Sequence, residues 1–163
     1  VNHSFAFGAL LHRAGFDFFT GVPDSTFKLL LQEIESDSEF DYVPAVSENV
    51  AIGLAVGAHL GGRRPVVVMQ NSGLALAVNP LTSLAAICRV PLLLLVGWRG
   101  HDGKDAQEHS LMGVATLPLL EALGLPFYVP DAESLKHDVG RAVATMEERR
   151  TPCALVCRPG IFT

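Results

Sequence analysis

Short runs of Val, Leu, Ile and Phe, four to seven residues long, alternate along the chain with longer segments in which apolar positions recur every three or four residues. The short runs predict strands over residues 16–22, 41–46, 65–70, 91–97, 126–129 and 153–158. The longer segments predict helices over 4–14, 25–36, 47–60, 74–87, 117–123 and 131–150, the first with Phe5, Leu10 and Leu11 as its apolar stripe and Gly15 as its stop. Apolar strands separated by amphipathic helices belong to a sheet covered on both faces. The pattern therefore predicts a doubly wound α/β fold with a mainly parallel, six-stranded sheet.

One segment departs from the amphipathic pattern. Residues 41–60 read DYVPAVSENVAIGLAVGAHL, a short strand running straight into a helix that is apolar around most of its girth. Its small residues, Ala51, Gly53, Ala55, Gly57 and Ala58, suit deep burial and close approach of neighbouring backbones. Ser47 is expected to cap the first turn through its hydroxyl, and Glu48 stands at the helix mouth. Such an acid has two readings. Either it complements the helix dipole, worth about 0.3–1 kcal/mol, or it is sheltered from water so that it can exchange a proton with a bound cofactor.

In doubly wound sheets ligands bind beyond the carboxyl ends of the strands. The predicted exits there are Gly21-Val22-Pro23-Asp24-Ser25, Ser47-Glu48-Asn49 and Gln70-Asn71-Ser72-Gly73, followed by a long loop after the fourth strand. That loop carries Arg99, His101, Asp102, Lys104, Asp105, Glu108 and His109. A loop so dense in ionisable groups is a functional candidate.

Composition narrows the classes. Charged residues make up 18% of the chain, against about 25% in an average soluble protein, which points to a surface partly covered by another chain. The net charge of −5 and the lack of a Lys/Arg run argue against a nucleic-acid partner. The longest apolar run, 90–98, is about half a membrane span, and no charged leader followed by an apolar segment opens the sequence, so a cytoplasmic protein is expected. Cys88, Cys153 and Cys157 lack C-x-x-C spacing, and the last two fall in an apolar strand, which favours buried thiols over a disulfide or zinc site.

The common chemistries of this fold class are absent. No G-x-G-x-x-G follows a strand, there is no Walker motif, and Ser72 lacks the flanking glycines of G-x-S-x-G. No two histidines have metal-ligand spacing; His3, His12, His59 and His137 read as surface or helix-end residues, whereas His109 closes the charged loop.

Five segments, in this order, carry a resemblance: FFTGVPDSTFKLLLQEI, PAVSENVAIGLAVGAHL, PVVVMQNSGLALAVNPLTSL, VPLLLLVGWRG and KDAQEHSLMG. Together they resemble the pyrimidine-binding half of thiamine diphosphate enzymes, specifically the phosphonopyruvate decarboxylases and the alpha subunits of sulfopyruvate decarboxylases. The resemblance implies that Glu48 hydrogen-bonds the aminopyrimidine ring, which then takes the proton from C2 of the cofactor's thiazolium. It implies that Asp24 sits by the reacting carboxylate and that His109 handles protons. By the same resemblance Asn71, Ser72 and Gly73 lie near the pyrimidine, with Gly73 permitting close backbone approach, and Arg99 and Lys104 face an anionic substrate head group.

This sequence departs from its close relatives in His101-Asp102 after Gly97-Trp98-Arg99-Gly100, and in Ala106-Gln107 before Glu108 and His109. It has no paired histidines of the pyruvate decarboxylase kind and no Gly-Asp-Gly anywhere. In this class Gly-Asp-Gly and a downstream Asn hold the diphosphate through Mg²⁺. Residues 1–163 are thus expected to form one pyrimidine-binding domain, with the diphosphate and Mg²⁺ held by a separate beta subunit in an oligomer, or else by a removed continuation of this chain. The implied reaction converts 3-sulfopyruvate or 3-phosphonopyruvate to the aldehyde and carbon dioxide. A catalytically silent structural or regulatory subunit and a thiamine-dependent carboligase component are the alternatives.

Overall fold

Apolar side chains alternate between the two sides of each central strand, and the helices sort accordingly. The computed structural model describes residues 3–162, with side chains from residue 7 onward. In chain order the elements are α1 (His3–Arg13), β1 (Phe18–Gly21), α2 (Lys28–Ser36), β2 (Asp41–Pro44), α3 (Glu48–Leu60), β3 (Pro65–Gln70), α4 (Asn71–Pro80), β4 (Leu93–Gly97), α5 (Ser110–Ala122), β5 (Phe127–Tyr128), α6 (Leu135–Arg149) and β6 (Cys153–Cys157). Short 3-10 turns occupy Ser25–Phe27 and Gln107–His109, and α4 continues as a π-helix over Leu81–Ala86.

The six strands are all parallel, in the order β2-β1-β3-β4-β6-β5. Phe19, Val66, Val68, Leu93, Leu95 and Leu155 face a layer built from α1, α2 and α6, where Phe7, Leu11, Leu30, Ile34, Val139 and Met146 meet them. Val67, Met69, Leu94, Val96 and Val156 face the opposite layer, built from Ala51 and Ile52 of α3, Leu74 of α4 and Leu120 of α5. Three layers result, as the alternation of strands and helices requires. Phe5 of the expected first stripe lies outside the described side chains; among those described, Phe7 and Leu11 anchor α1. Among the described residues no helix is long and apolar enough to cross a membrane.

Two helix starts and one cap differ from expectation in ways that bear on the site edge. Helix α4 starts at Asn71, three residues early, because Gln70 is still extended and the chain turns immediately after it. Helix α5 starts at Ser110 and contains Pro118, which the sequence pattern placed near a helix start. Pro118 removes a bond to the carbonyl of Val114, and Val114 is exposed, so water can take that carbonyl. Ser47 occupies the N-cap of α3 without a capping hydroxyl bond; its Oγ pairs with Asn49 Oδ1.

Strand β6 buries Cys153 and Cys157 completely, while Cys88 is exposed. Burial pushes the Cys153 thiol up to about 12 and the Cys157 thiol up as well. The native chain should therefore consume one equivalent of Ellman's reagent, through Cys88, and the denaturant-unfolded chain three. Rapid reaction of a second thiol in the native chain would contradict the packing of β6.

Candidate active site

All the predicted site residues lie along the carboxyl edge of the sheet, where parallel strands turn into helices. β1 ends at Gly21, which has φ +143 and sits so close to β3 that a Cβ would meet Val68 O at 1.9 Å. Only glycine fits there. The chain then passes through Val22 and Pro23 to Asp24, a buried carboxylate that caps the following 3-10 turn by accepting from the Thr26 amide at 3.0 Å. Asp24 also faces Gly97 at the end of β4, where a Cβ would lie 2.4 Å from its Oδ1.

Glu48 is the first residue of α3 and is only 9% exposed. Its carboxyl group lies over the first turn of α4: a Cβ on Gly73 would come within 2.2 Å of Glu48 Cδ and Oε1. Gly73 thus admits the Glu48 side chain. Among the described residues the carboxylate has no hydrogen-bond or ion-pair partner. The positive end of α3 favours a carboxylate at this position. This acid is placed to meet something from outside the chain.

The expected cofactor contacts around it divide. Asn71 is fully buried, and its Nδ2 donates to Arg99 O and to Thr116 Oγ1, both at 2.9 Å, tying α4 to the loop after β4 and to α5. Its Oδ1 is buried and unpartnered. Ser72 is exposed, and its Oγ accepts from Gln70 Nε2 at 2.7 Å.

In the charged loop the organising residue is Asp105, to which the sequence reading gave no role. Arg99 donates to it twice, Nε at 2.6 Å and an Nη at 2.7 Å. The amides of Gly100 and Ala106 add bonds of 3.0 and 2.8 Å. His109 Nδ1 lies 3.1 Å from Asp105 Oδ1, an ion-pair distance without the alignment of a ring N–H bond, and has no other polar partner. The i, i+4 spacing of Asp105 and His109 was the available signal. The Arg99 fork holds the Asp105 carboxyl far below the usual carboxylate range, and Asp105 in turn raises Arg99. Lys104, by contrast, is exposed.

The loop is also locked sterically. Trp98 Nε1 donates to Gly113 O at 2.7 Å, a Cβ on Gly113 would meet Gly100 O at 2.1 Å, and one on Gly100 would meet His109 O at 2.2 Å. A carboxylate depressed in the fold stabilises it above its unfolded value of about 4 and ceases to do so as pH falls through the folded value. The melting temperature of the wild type should therefore exceed that of Asp105→Asn by a constant margin from pH 8 to about 5, with the margin shrinking only below about pH 4. A margin that does not shrink below about pH 4 would refute this placement of Asp105.

Exposed apolar side chains flank the edge on the α3, α4 and α5 layer: Val46, Val50, Leu76, Leu111 and Val114. Along α3 an apolar groove of about 570 Å³ includes Phe18, Val50, Leu54 and the open Gly53 and Gly57.

A parallel sheet with a sheltered, unpartnered acid at a strand exit, beside a loop held by an ion-pair hub, defines a ligand-binding domain of the doubly wound class. More narrowly, the chain belongs to the thiamine pyrophosphate enzyme family, N-terminal TPP binding domain, whose pattern matches residues 2–119. It is 33% identical over 138 residues to the sulfopyruvate decarboxylase subunit alpha of Methanococcus maripaludis, covering 82% of this chain and 83% of that one. It is 35% identical over 144 residues to the phosphonopyruvate decarboxylase of Streptomyces viridochromogenes, covering 86% of this chain and 36% of the relative. The thiamine diphosphate-dependent 4-hydroxybenzoylformate decarboxylase of Rhodococcus jostii shares the fold, with a TM-score of 0.76 at 17% identity over 100% of this chain and 31% of its own. The residues present fit the pyrimidine end of the cofactor in their chemistry, since a buried carboxylate without a partner among the described residues stands at the strand exit. Among the described residues no group of three His, Cys, Asp or Glu could hold a metal.

Proposed function

We propose that this chain is the pyrimidine-binding alpha component of a cytoplasmic thiamine diphosphate-dependent decarboxylase that converts 3-sulfopyruvate or 3-phosphonopyruvate to the corresponding aldehyde and carbon dioxide. The observation that carries the reading is the Glu48 carboxylate, buried at the mouth of α3 and without a partner among the described residues. Residues 1–163 form one domain of the site. A beta subunit bearing Gly-Asp-Gly and a downstream Asn supplies the half that holds the diphosphate through Mg²⁺, and the two assemble as an oligomer. Two features support a partner: the naming of the Methanococcus maripaludis relative as a subunit, and the exposed apolar side chains on α3, α4 and α5.

When bound, thiamine diphosphate supplies the electron sink that lets the bond between C1 and C2 of the 2-oxo acid break. Glu48 holds the proton shared with the pyrimidine ring, and the apolar body of α3 together with the partner keeps water from it. Gly73 and Ser72 flank that contact, and Asn71 fixes the start of α4 on which they stand. Asp24, held by the Thr26 amide, disfavours a charged carboxylate beside it and so favours loss of carbon dioxide. His109, with Nδ1 at Asp105, presents Nε2 to return a proton to the carbon left behind.

The test is co-expression with a beta polypeptide of the Gly-Asp-Gly type and product analysis. The expected result is sulfoacetaldehyde or phosphonoacetaldehyde with carbon dioxide, formed only when both chains, the cofactor and Mg²⁺ are present. A complex that binds the cofactor yet turns over neither acid contradicts the proposal.

A further inference from the structure

The charged loop and the first turn of α2 enclose a cavity of about 690 Å³. Ser25, Lys28 and Gln32 line one side, and Arg99, Asp102 and Lys104 the other. It adjoins the exit of β1, because Thr26, whose amide holds Asp24, is also part of its wall. A small acid with its reacting carboxylate near Asp24 therefore has room to extend its far end into this space.

The charges in the wall are not equivalent. Arg99 is matched by Asp105 through a two-bond fork, and only its remaining edge, with an Nη 3.3 Å from Ser25 Oγ, faces the cavity. That pair is neutral as a unit. Lys28 and Lys104 have no ion-pair partner among the described residues. Asp102 is the opposing acid in the wall; its Oδ1 accepts from the Lys104 backbone amide at 3.1 Å, and it forms no ion pair with either lysine among the described residues. The cavity thus holds two unmatched cations against one carboxylate, with a hydroxyl and an amide between them.

We propose that Lys28 and Lys104 recognise the second anionic group of the substrate, a sulfonate or phosphonate on C3, while Arg99 and Asp105 form the neutral frame that holds the loop in place. This rests on the decarboxylase reading above and assigns its specificity to a helix residue, Lys28, outside the charged loop. Asp102 sets the upper limit on affinity, since its charge opposes the same anion.

The experiment compares the assembled enzyme with Lys28→Ala, Lys104→Ala and Asp102→Asn, measuring kcat and KM for 3-sulfopyruvate, 3-phosphonopyruvate and pyruvate. Each lysine variant should raise KM for the two charged acids about tenfold, with a smaller change in kcat, and lower their selectivity over pyruvate by the same factor. Asp102→Asn should move KM the other way, and the lysine effects should be larger for the phosphonate, which carries more charge. Independently of turnover, phosphonoacetate titrated into the full chain should shift the backbone resonances of Ser25 and Lys104, acetate should not, and Lys28→Ala should weaken the response. If the wild type turns over the charged acids but the lysine variants change their KM no more than that of pyruvate, the assignment of the cavity fails and the decarboxylase reading stands. If the wild-type assembly turns over neither charged acid, both fail.

Discussion

Glu48→Gln should lower decarboxylation by the assembled enzyme about a thousandfold, within the range typical of losing a positioned acid-base group. The substitution keeps the shape of the side chain over Gly73 and changes its ability to exchange a proton. Stability should therefore barely move, with a melting temperature within a few degrees of wild type, since no hydrogen bond or ion pair to described residues is broken. Assembly with the beta subunit should also persist, because the exposed apolar side chains on α3, α4 and α5 are untouched. Loss of activity with fold and assembly intact is the combination that separates a site residue from a helix-dipole acid. Unchanged activity would return Glu48 to the latter role and favour a catalytically silent subunit.

The second large effect comes from the smallest possible change. A methyl group at Gly73 falls 2.2 Å from the Glu48 carboxyl carbon, so Gly73→Ala must push the carboxylate aside. The atoms it strikes are the far end of a flexible side chain, and alanine favours a helix over glycine by roughly 0.8–1 kcal/mol, so the fold should be as stable as wild type or slightly more so. Activity should nevertheless fall by about a hundredfold or more, because a displacement of an ångström at a reacting group has that consequence. Thermal unfolding alongside turnover checks both halves. A variant that unfolds early, or one that keeps its activity, would show that Glu48 and Gly73 do not meet as described.

Gly113 marks the contrast. A Cβ there meets the backbone of Gly100 at 2.1 Å. Backbone cannot step aside as a carboxyl group does, so this glycine serves the loop's packing, and the two glycines are distinguished by what stands opposite them.

The strands and the parallel arrangement were readable because two-sided apolar runs such as those of β3 and β4 have few other places to go. The site edge followed from the same pattern, since Asp24, Glu48, Asn71 and Arg99 each fall just beyond a strand. What pairs with what was not readable. Asp105 and Arg99 lie six residues apart in a loop with several other charges, and nothing in the residue order says that Arg99 closes on Asp105 and leaves Lys104 exposed. The interior tether from Asn71 to Thr116 joins residues 45 positions apart and depends on where α5 begins. That start was hidden by Pro118, which local propensity reads as a boundary and tertiary packing tolerates. The hydroxyl of Ser47 illustrates the same limit at short range: it donates to Asn49 Oδ1 two residues on and accepts from no helix amide, the bond that the cap was expected to make.

The most direct test of the role given to Glu48 is the exchange of the thiazolium C2 proton of thiamine diphosphate for deuterium in the assembled enzyme, followed by quenched-flow NMR without substrate. The account predicts fast exchange in the wild type and exchange slower by about two to three orders of magnitude in Glu48→Gln. Equal rates in the two proteins would contradict it.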